Sequence, residues 1–200
     1  MKWSLVTLLS FGLLHIYAYD PVHLEKALDE KECVKCDLRD ANLSKRDFSG
    51  GDFHGSDLSG ADLTESVFEM GDFNDCNLSG ANAQGTIFWK GTIMRADLTH
   101  INARGANFKG AHLDRSNLSF ANLQGTKSWK VDFSDAVLLK TDFTDAELGA
   151  SKFIRNDLRT SKMKASLLWQ TVFRDVVMTK EQCAHAKKEE AVFDRSVLCR

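Results

Sequence analysis

Residues 36–65 read "CDLRDANLSKRDFSGGDFHGSDLSGADLTE", with a large apolar residue at every fifth position from Leu38 through Leu43, Phe48, Phe53, Leu58 and Leu63. Followed onward, this register reaches Met178 without an insertion or deletion, and the only centres that are not Leu, Phe, Ile or Met are Ala83, Ala103 and Ser128. Two positions before most centres stands a small residue, as at Ala41, Gly51, Ser56, Ala61, Ser66 and Gly71, and the residue between is usually Asp or Asn. On an extended chain, positions two apart share a face, so each unit points a small and a large residue inward and an acid or amide outward, then turns a corner. A helix is excluded, because a five-residue period drifts around a 3.6-residue turn and leaves no continuous apolar stripe.

The units "ANLSK", "ADLTE", "ANFKG" and "ANLQG" resemble the consensus of the pentapeptide-repeat family, and the resemblance covers residues 33–178. It implies an all-β fold, the right-handed quadrilateral β-helix with one pentapeptide per side. Four sides make a coil of twenty residues, and adding twenty sorts like with like. One column runs Leu38, Leu58, Leu78, Leu98, Leu118, Leu138, Leu158, Met178, and another opens Phe48, Phe68, Phe88, Phe108. About seven coils at a strand spacing near 4.8 Å predict a rod on the order of 34 Å long. Arg46 and Asn156 at small inward positions and Ser128 at a centre depart from the pattern and suggest local bulges or polar corners.

The flanks differ in character. Met1-Lys2 followed by "WSLVTLLSFGLLHIYA" has the charged start, apolar middle and small final residue of an export signal over 1–18, whose removal leaves no stable membrane span. Residues 19–35 form an N-terminal capping segment, with Leu24, Ala27 and Leu28 at helical spacing; 36–178 form the β-helix. Residues 179–200 form a C-terminal capping helix, opened by the capping-box pair Thr179 and Gln182, and a final coil.

An exported chain, periplasmic or secreted, meets oxidising conditions, so its five cysteines are read first as disulfides. Cys33 and Cys36 could be a local disulfide, a zinc half-site or a redox pair. The reading taken is two structural disulfides, Cys33 with Cys36 and Cys183 with Cys199, because zinc lacks a second ligand pair near that edge. Cys76 falls in the small inward column and is expected as a buried free thiol.

The three tryptophans beyond the signal, Trp89, Trp129 and Trp169, each follow a centre and lie forty residues apart, so they line one edge of one side at about 9.6 Å intervals. Lys109 and Gly149 fall between them. The outward positions of that side run Val67, Ile87, Asn107, Lys127, Glu147 and Leu167, where other sides carry mostly Asp and Asn, and Met70, Lys90 and Lys130 lie beside them. Exposed apolar surface of this kind marks a binding or assembly site, with Trp89, Trp129, Trp169, Ile87, Leu167 and Lys109 as its candidate residues. The alternative is indoles lying flat over their neighbours as packing. A bulge at Ser128 would turn Trp129 inward.

A net charge of −2 supplies no strong field for nucleic acid or acidic membranes. Members of the family that resemble DNA and bind gyrase need a cytosolic location and a strongly acidic surface, which this chain does not match. Six scattered histidines, no nucleophile beside a base and no cleft argue against catalysis. No cofactor is implied, and the acid columns lack the loop spacing of a calcium site and read as a solvated side with ladder hydrogen bonds. Asn-x-Ser triplets at Asn42, Asn77 and Asn117 fall out of the consensus itself. The expected function is a non-catalytic scaffold binding a protein partner or forming a homodimer, with a polysaccharide as the alternative ligand.

Overall fold

The computed structural model describes residues 18–200. Of the export signal read over 1–18, all but Ala18 lies outside the described residues. The rest is a right-handed quadrilateral β-helix closed by a helix at each end. Parallel bridges join the outward residue of a unit to the one twenty further on, from Glu32 with Asp52 to Asp157 with Val177 and with a gap between Val137 and Asp157, so the coil is twenty residues over this range. We number the four sides by their first centres: side one from Leu38, two from Leu43, three from Phe48 and four from Phe53.

One unit, Ala61 to Glu65, shows why this sequence makes this backbone. Ala61 N–H donates to the Leu58 carbonyl at 3.0 Å, closing the corner, while Asp62 N–H reaches back one coil to the Ala41 carbonyl at 2.9 Å. Leu63 and Glu65 N–H reach forward one coil to the carbonyls of Asn82 and Gln84, at 2.8 and 2.9 Å. Only Thr64 N–H has no backbone partner, and it donates to Asp62 Oδ1 at 3.0 Å. All five donors are thus paired. The same side-chain cap recurs, as Asp52 to His54, Asp97 to Thr99 and Asn122 to Gln124. The outward acids and amides are therefore chiefly corner caps. The expected amide ladder is confined to Asn82, Asn102 and Asn122, at 3.5 and 3.3 Å.

From Lys35 to Asp175 every corner but the one at Thr160 puts its second residue at positive φ, as a type II turn requires. Glycine takes this position at Gly50 (71°) and Gly55 (65°), yet Lys45, Met70, Lys90 and Phe120 adopt it as well, at 54–62°. The left-handed conformation costs an L-residue on the order of 1 kcal/mol, and the corner N–H bond to the next coil holds it there.

Inward pairs fill the core. Phe48, Phe68, Phe88 and Phe108 stack face to face at 5.0, 5.7 and 5.1 Å, and Phe53 and Phe73 from side four meet them edge-on. A second set, Phe133, Phe153 and Phe173, takes Phe143 edge-on at 5.6 Å from the opposite side. The small centres Ala83, Ala103 and Ser128 each precede a Phe on the adjoining side, so volume is exchanged between neighbouring walls. Inward hydroxyls are satisfied by carbonyls one coil below, as Ser66 to Leu43 at 2.6 Å and Thr86 to Leu63 at 2.7 Å. Cys76 donates to the Phe53 carbonyl in the same way, and burial pushes its thiol up to about 12.

The expected bulges do not form. Lys127 bridges Glu147 in register, Ser128 N–H donates to the Glu147 carbonyl at 2.8 Å, and the Ser128 hydroxyl is held inside by Thr126 at 3.1 Å. Asn156 stays in the wall as a polar corner, its amide donating to the carbonyls of Phe133 and Ala136. Arg46 sits in the first coil with its side chain exposed.

Helix α1, Pro21–Glu30, is capped by Asp20 and covers the first coil with buried Ala27 and half-buried Leu24 and Leu28. A disulfide joins Cys33 and Cys36 beneath it. At the other end, strands β1 (Lys152–Ile154), β2 (Val172–Arg174) and β3 (Val177–Met178) lead into helix α2, Lys180–Lys188. Gln182 completes the capping box with Thr179, and its Nε2 donates to the carbonyls of Leu158 and Ser161 at 2.6 and 2.9 Å. His185 Nε2 lies 2.9 Å from the Ser166 carbonyl. The carbonyls of Ser161 and Ser166 are ones that N–H groups of a further coil would otherwise have bonded, so side chains of α2 stand in for that coil. Beyond it β4 (Val192–Phe193) pairs with β2 and β5 (Leu198–Cys199) with β3, and the Cys183–Cys199 disulfide ties helix to strand. A link closing a loop of this length contributes about 3 kcal/mol.

Two outcomes test this core. Phe88→Ala, which empties a place in the ring stack, should lower unfolding free energy by about 3–5 kcal/mol in a urea titration. Asp142 is mostly buried, which raises its pKa, but hydrogen bonds from Thr144, Gln124 and Lys162 outweigh burial and hold it at about 2. Its folded value is below its unfolded one, so its contribution is present above about pH 4 and disappears as pH falls towards 2. Asp142→Asn should flatten the fall in melting temperature across that window.

Candidate partner-binding face

Side three carries the tryptophans. Its outward residues bridge in a single file, Asp47, Val67, Ile87, Asn107, Lys127, Glu147 and Leu167. Five of these seven are neither Asp nor Asn, so the acid or amide that elsewhere caps the N–H of the residue two places on is often missing from this side. Trp89, Trp129 and Trp169 take that place, all on the outside of the wall. Trp89 and Trp129 are half-buried, while Trp169 is 47% and Leu167 50% exposed. Ile87 is half-buried and Lys109 exposed.

The rings are not evenly spaced. Trp129 leans over Gly149, where an added Cβ would lie 2.7–2.8 Å from three ring atoms, and its ring reaches 6.0 Å from that of Trp169 at an interplanar angle of 50°. The backbone separation of two coils is thereby closed into one aromatic pair. Trp89 stands apart, with Lys109 between it and the pair and Lys90 Nζ 4.3 Å above its own ring. Asn107, Lys109, Lys127, Trp129, Lys130 and Glu147 line a shallow recess of about 640 Å³ beside the pair. The predicted strip is thus a tryptophan pair with Leu167, a lysine-lined recess, and a separate Trp89.

A second apolar patch went unread in the sequence. Phe120, Val137 and Leu139 are exposed on side one and its corner, opposite the tryptophans. Phe120 stacks on His100 at 4.8 Å with Lys140 on its other flank at 5.4 Å. Adding twenty along the outward column of side one would have found it, because Val137 interrupts Asp37, Asp57, Asn77, Asp97 and Asn117. Among the described residues no cluster of His, Cys, Asp and Glu is arranged to hold a metal, and no helix is long and apolar enough to cross a membrane.

A coil of four pentapeptides, uninterrupted in register, defines the class of the molecule. A model of pentapeptide repeats matches eight copies, over residues 36–69 and 93–127. The chain is a pentapeptide-repeat protein. No curated protein matches it. Similar solved structures include HetL, described as involved in heterocyst differentiation regulation, from Nostoc sp. PCC 7120, at 17% identity over 84% of this chain and 78% of that one, TM-score 0.39. Another is full-length QnrB1, a plasmid-mediated fluoroquinolone resistance protein, at 17% identity over 80% of each chain, TM-score 0.49. A pentapeptide repeat protein of the Arabidopsis thaliana thylakoid lumen is 28% identical over 54% of this chain and 64% of that one, TM-score 0.26.

The ring pair makes its own signal. Two indoles 6.0 Å apart should give an exciton couplet in circular dichroism that Trp129→Phe or Trp169→Phe abolishes and Trp89→Phe leaves intact. Gly149→Ala should weaken the couplet by pushing the Trp129 ring off the wall.

Proposed function

We propose that this chain is an exported, non-catalytic scaffold that binds a protein partner, or a second copy of itself, through side three. The observation that carries the reading is the Trp129–Trp169 pair, half in water beside exposed Leu167 on a straight wall. Large aromatic side chains left partly hydrated at the centre of a patch are the residues that dominate protein interfaces. Packing alone does not require them. Over its middle coils side one makes the same turns with Ser59, Ser79, Thr99 and Ser119 at the equivalent places.

Export is supported by the two disulfides, since such links persist in oxidising compartments and are rare in the cytosol. It is also supported by the apolar run behind Lys2. The scaffold reading draws on the solenoid itself, whose corners from Lys35 to Asp175 are tight turns of one kind except at Thr160.

Sedimentation equilibrium over a range of concentrations, together with capture from the exporting cell's extracellular and envelope fractions, tests this directly. The wild type should either dimerise or retain a partner that also binds when purified, and Trp89→Ala/Trp129→Ala/Trp169→Ala should lose that association while keeping its circular dichroism. Equal behaviour of the two proteins in both measurements would leave the indoles as surface packing.

A further inference from the structure

At several places on the solenoid a basic side chain on one coil is paired with an acid on the neighbouring coil, although carboxylates also stand in register, as at Glu32, Asp52 and Asp72. Asp75 meets Arg95 at 2.7 Å, Asp142 meets Lys162 at 3.2 Å and Asp132 meets Lys152 at 3.6 Å, each twenty residues apart. Opposite charges across adjacent strands are favourable and like charges are not. Side three differs in having lysines outside such pairs, although its Lys127 stands in backbone register with Glu147 of the next coil. Through three successive coils, at 87–90, 107–110 and 127–130, it carries Lys90, Lys109, Lys127 and Lys130 and no carboxylate, in a chain of net charge −2. Among the described residues none of the four enters an ion pair, whereas Lys31, Lys45, Lys152 and Lys162 do. Three of these four line the recess of about 640 Å³ with Asn107, Trp129 and one carboxylate, Glu147, so its lining is net positive. The excess of ammonium groups over the single carboxylate of the recess favours an anion brought between them.

We infer that the occupant of this side is an acidic protein segment, its carboxylates meeting Lys109, Lys127 and Lys130 while an apolar or aromatic side chain packs on the Trp129–Trp169 pair. The inference rests on the reading of side three as the partner surface and names the chemistry of that partner. Charge complementarity sets the anionic half, and the exposed indoles with Leu167 set the apolar half. A protein segment suits the site better than an acidic polysaccharide. Sugar rings stack along rows of open, evenly spaced aromatic faces, but here two rings are tilted into a wedge and Lys90 lies over the third.

The test uses the full-length protein and fluorescence anisotropy with three labelled probes: the random copolymer poly(Glu,Tyr), its cationic counterpart poly(Lys,Tyr), and polygalacturonate. Poly(Glu,Tyr) should bind best, and its affinity should fall as salt is raised. Lys109→Glu/Lys127→Glu/Lys130→Glu should weaken it by at least about tenfold, and the matching Lys→Gln set, which reverses no charge, by a smaller factor. Trp129→Ala/Trp169→Ala should also weaken it. Loss in the tryptophan variant with no change in either lysine set overturns the acidic partner and leaves side three as the binding face. No change in any variant overturns both. Tighter binding of polygalacturonate than of poly(Glu,Tyr) overturns the protein segment in favour of an acidic glycan, and preference for poly(Lys,Tyr) overturns the charge assignment.

Discussion

Backbone hydrogen-bond closure within five residues is the constraint on which this molecule depends. Four of the five N–H groups of a unit find carbonyls in the same corner or in a neighbouring coil, and the fifth is met by an Asp or Asn two residues earlier. A side of one bridging residue is too short to be a strand in its own right, so coil stacking and corner capping stabilise each other. The acid or amide at the outward position is therefore set by backbone chemistry before any partner is considered. Where it is missing, the wall has surrendered a cap and gained a side chain of another kind.

That exchange makes side three legible as a site. Val67, Ile87, Lys127, Glu147 and Leu167 replace capping residues there, and the neighbouring edge takes indoles and lysines instead of Ser and Thr. The solenoid then converts sequence spacing into a flat array, so residues forty apart in the chain belong to one surface. Elsewhere coil-to-coil ion pairs such as Asp75–Arg95, Asp132–Lys152 and Asp142–Lys162 hold basic side chains, which is why four lysines outside any ion pair among the described residues stand out. Stability and recognition are thus separated by position within the pentapeptide: inward pairs and caps hold the rod, and the uncapped edge of one wall meets the outside.

The ends follow the same logic by other means. An open coil presents unpaired backbone groups to any passing strand. At the first coil, α1 lays Ala27, Leu24 and Leu28 over the core, and at the last, Gln182 and His185 of α2 supply side-chain nitrogens to edge carbonyls. The Cys183–Cys199 link fixes α2 to the terminal strand, and the Cys33–Cys36 link lies buried beneath α1.

From its residues alone, the chain determined the coil length, the inward columns, the two capping helices and the wall on which the tryptophans stand. These are local rules repeated without a break, and repetition makes arithmetic sufficient. Ser128 was the place where that arithmetic looked weakest. The wall held its register because the serine hydroxyl could bond to Thr126 inside the core while its backbone kept the ladder. Tertiary structure alone decided what side-chain reach controls: Trp129 bending across Gly149 to Trp169, Gln182 serving two carbonyls besides its own cap, and Phe120 sandwiched between His100 and Lys140. A register says which residues are neighbours, but rotamers and the empty space beside a glycine determine which of them touch.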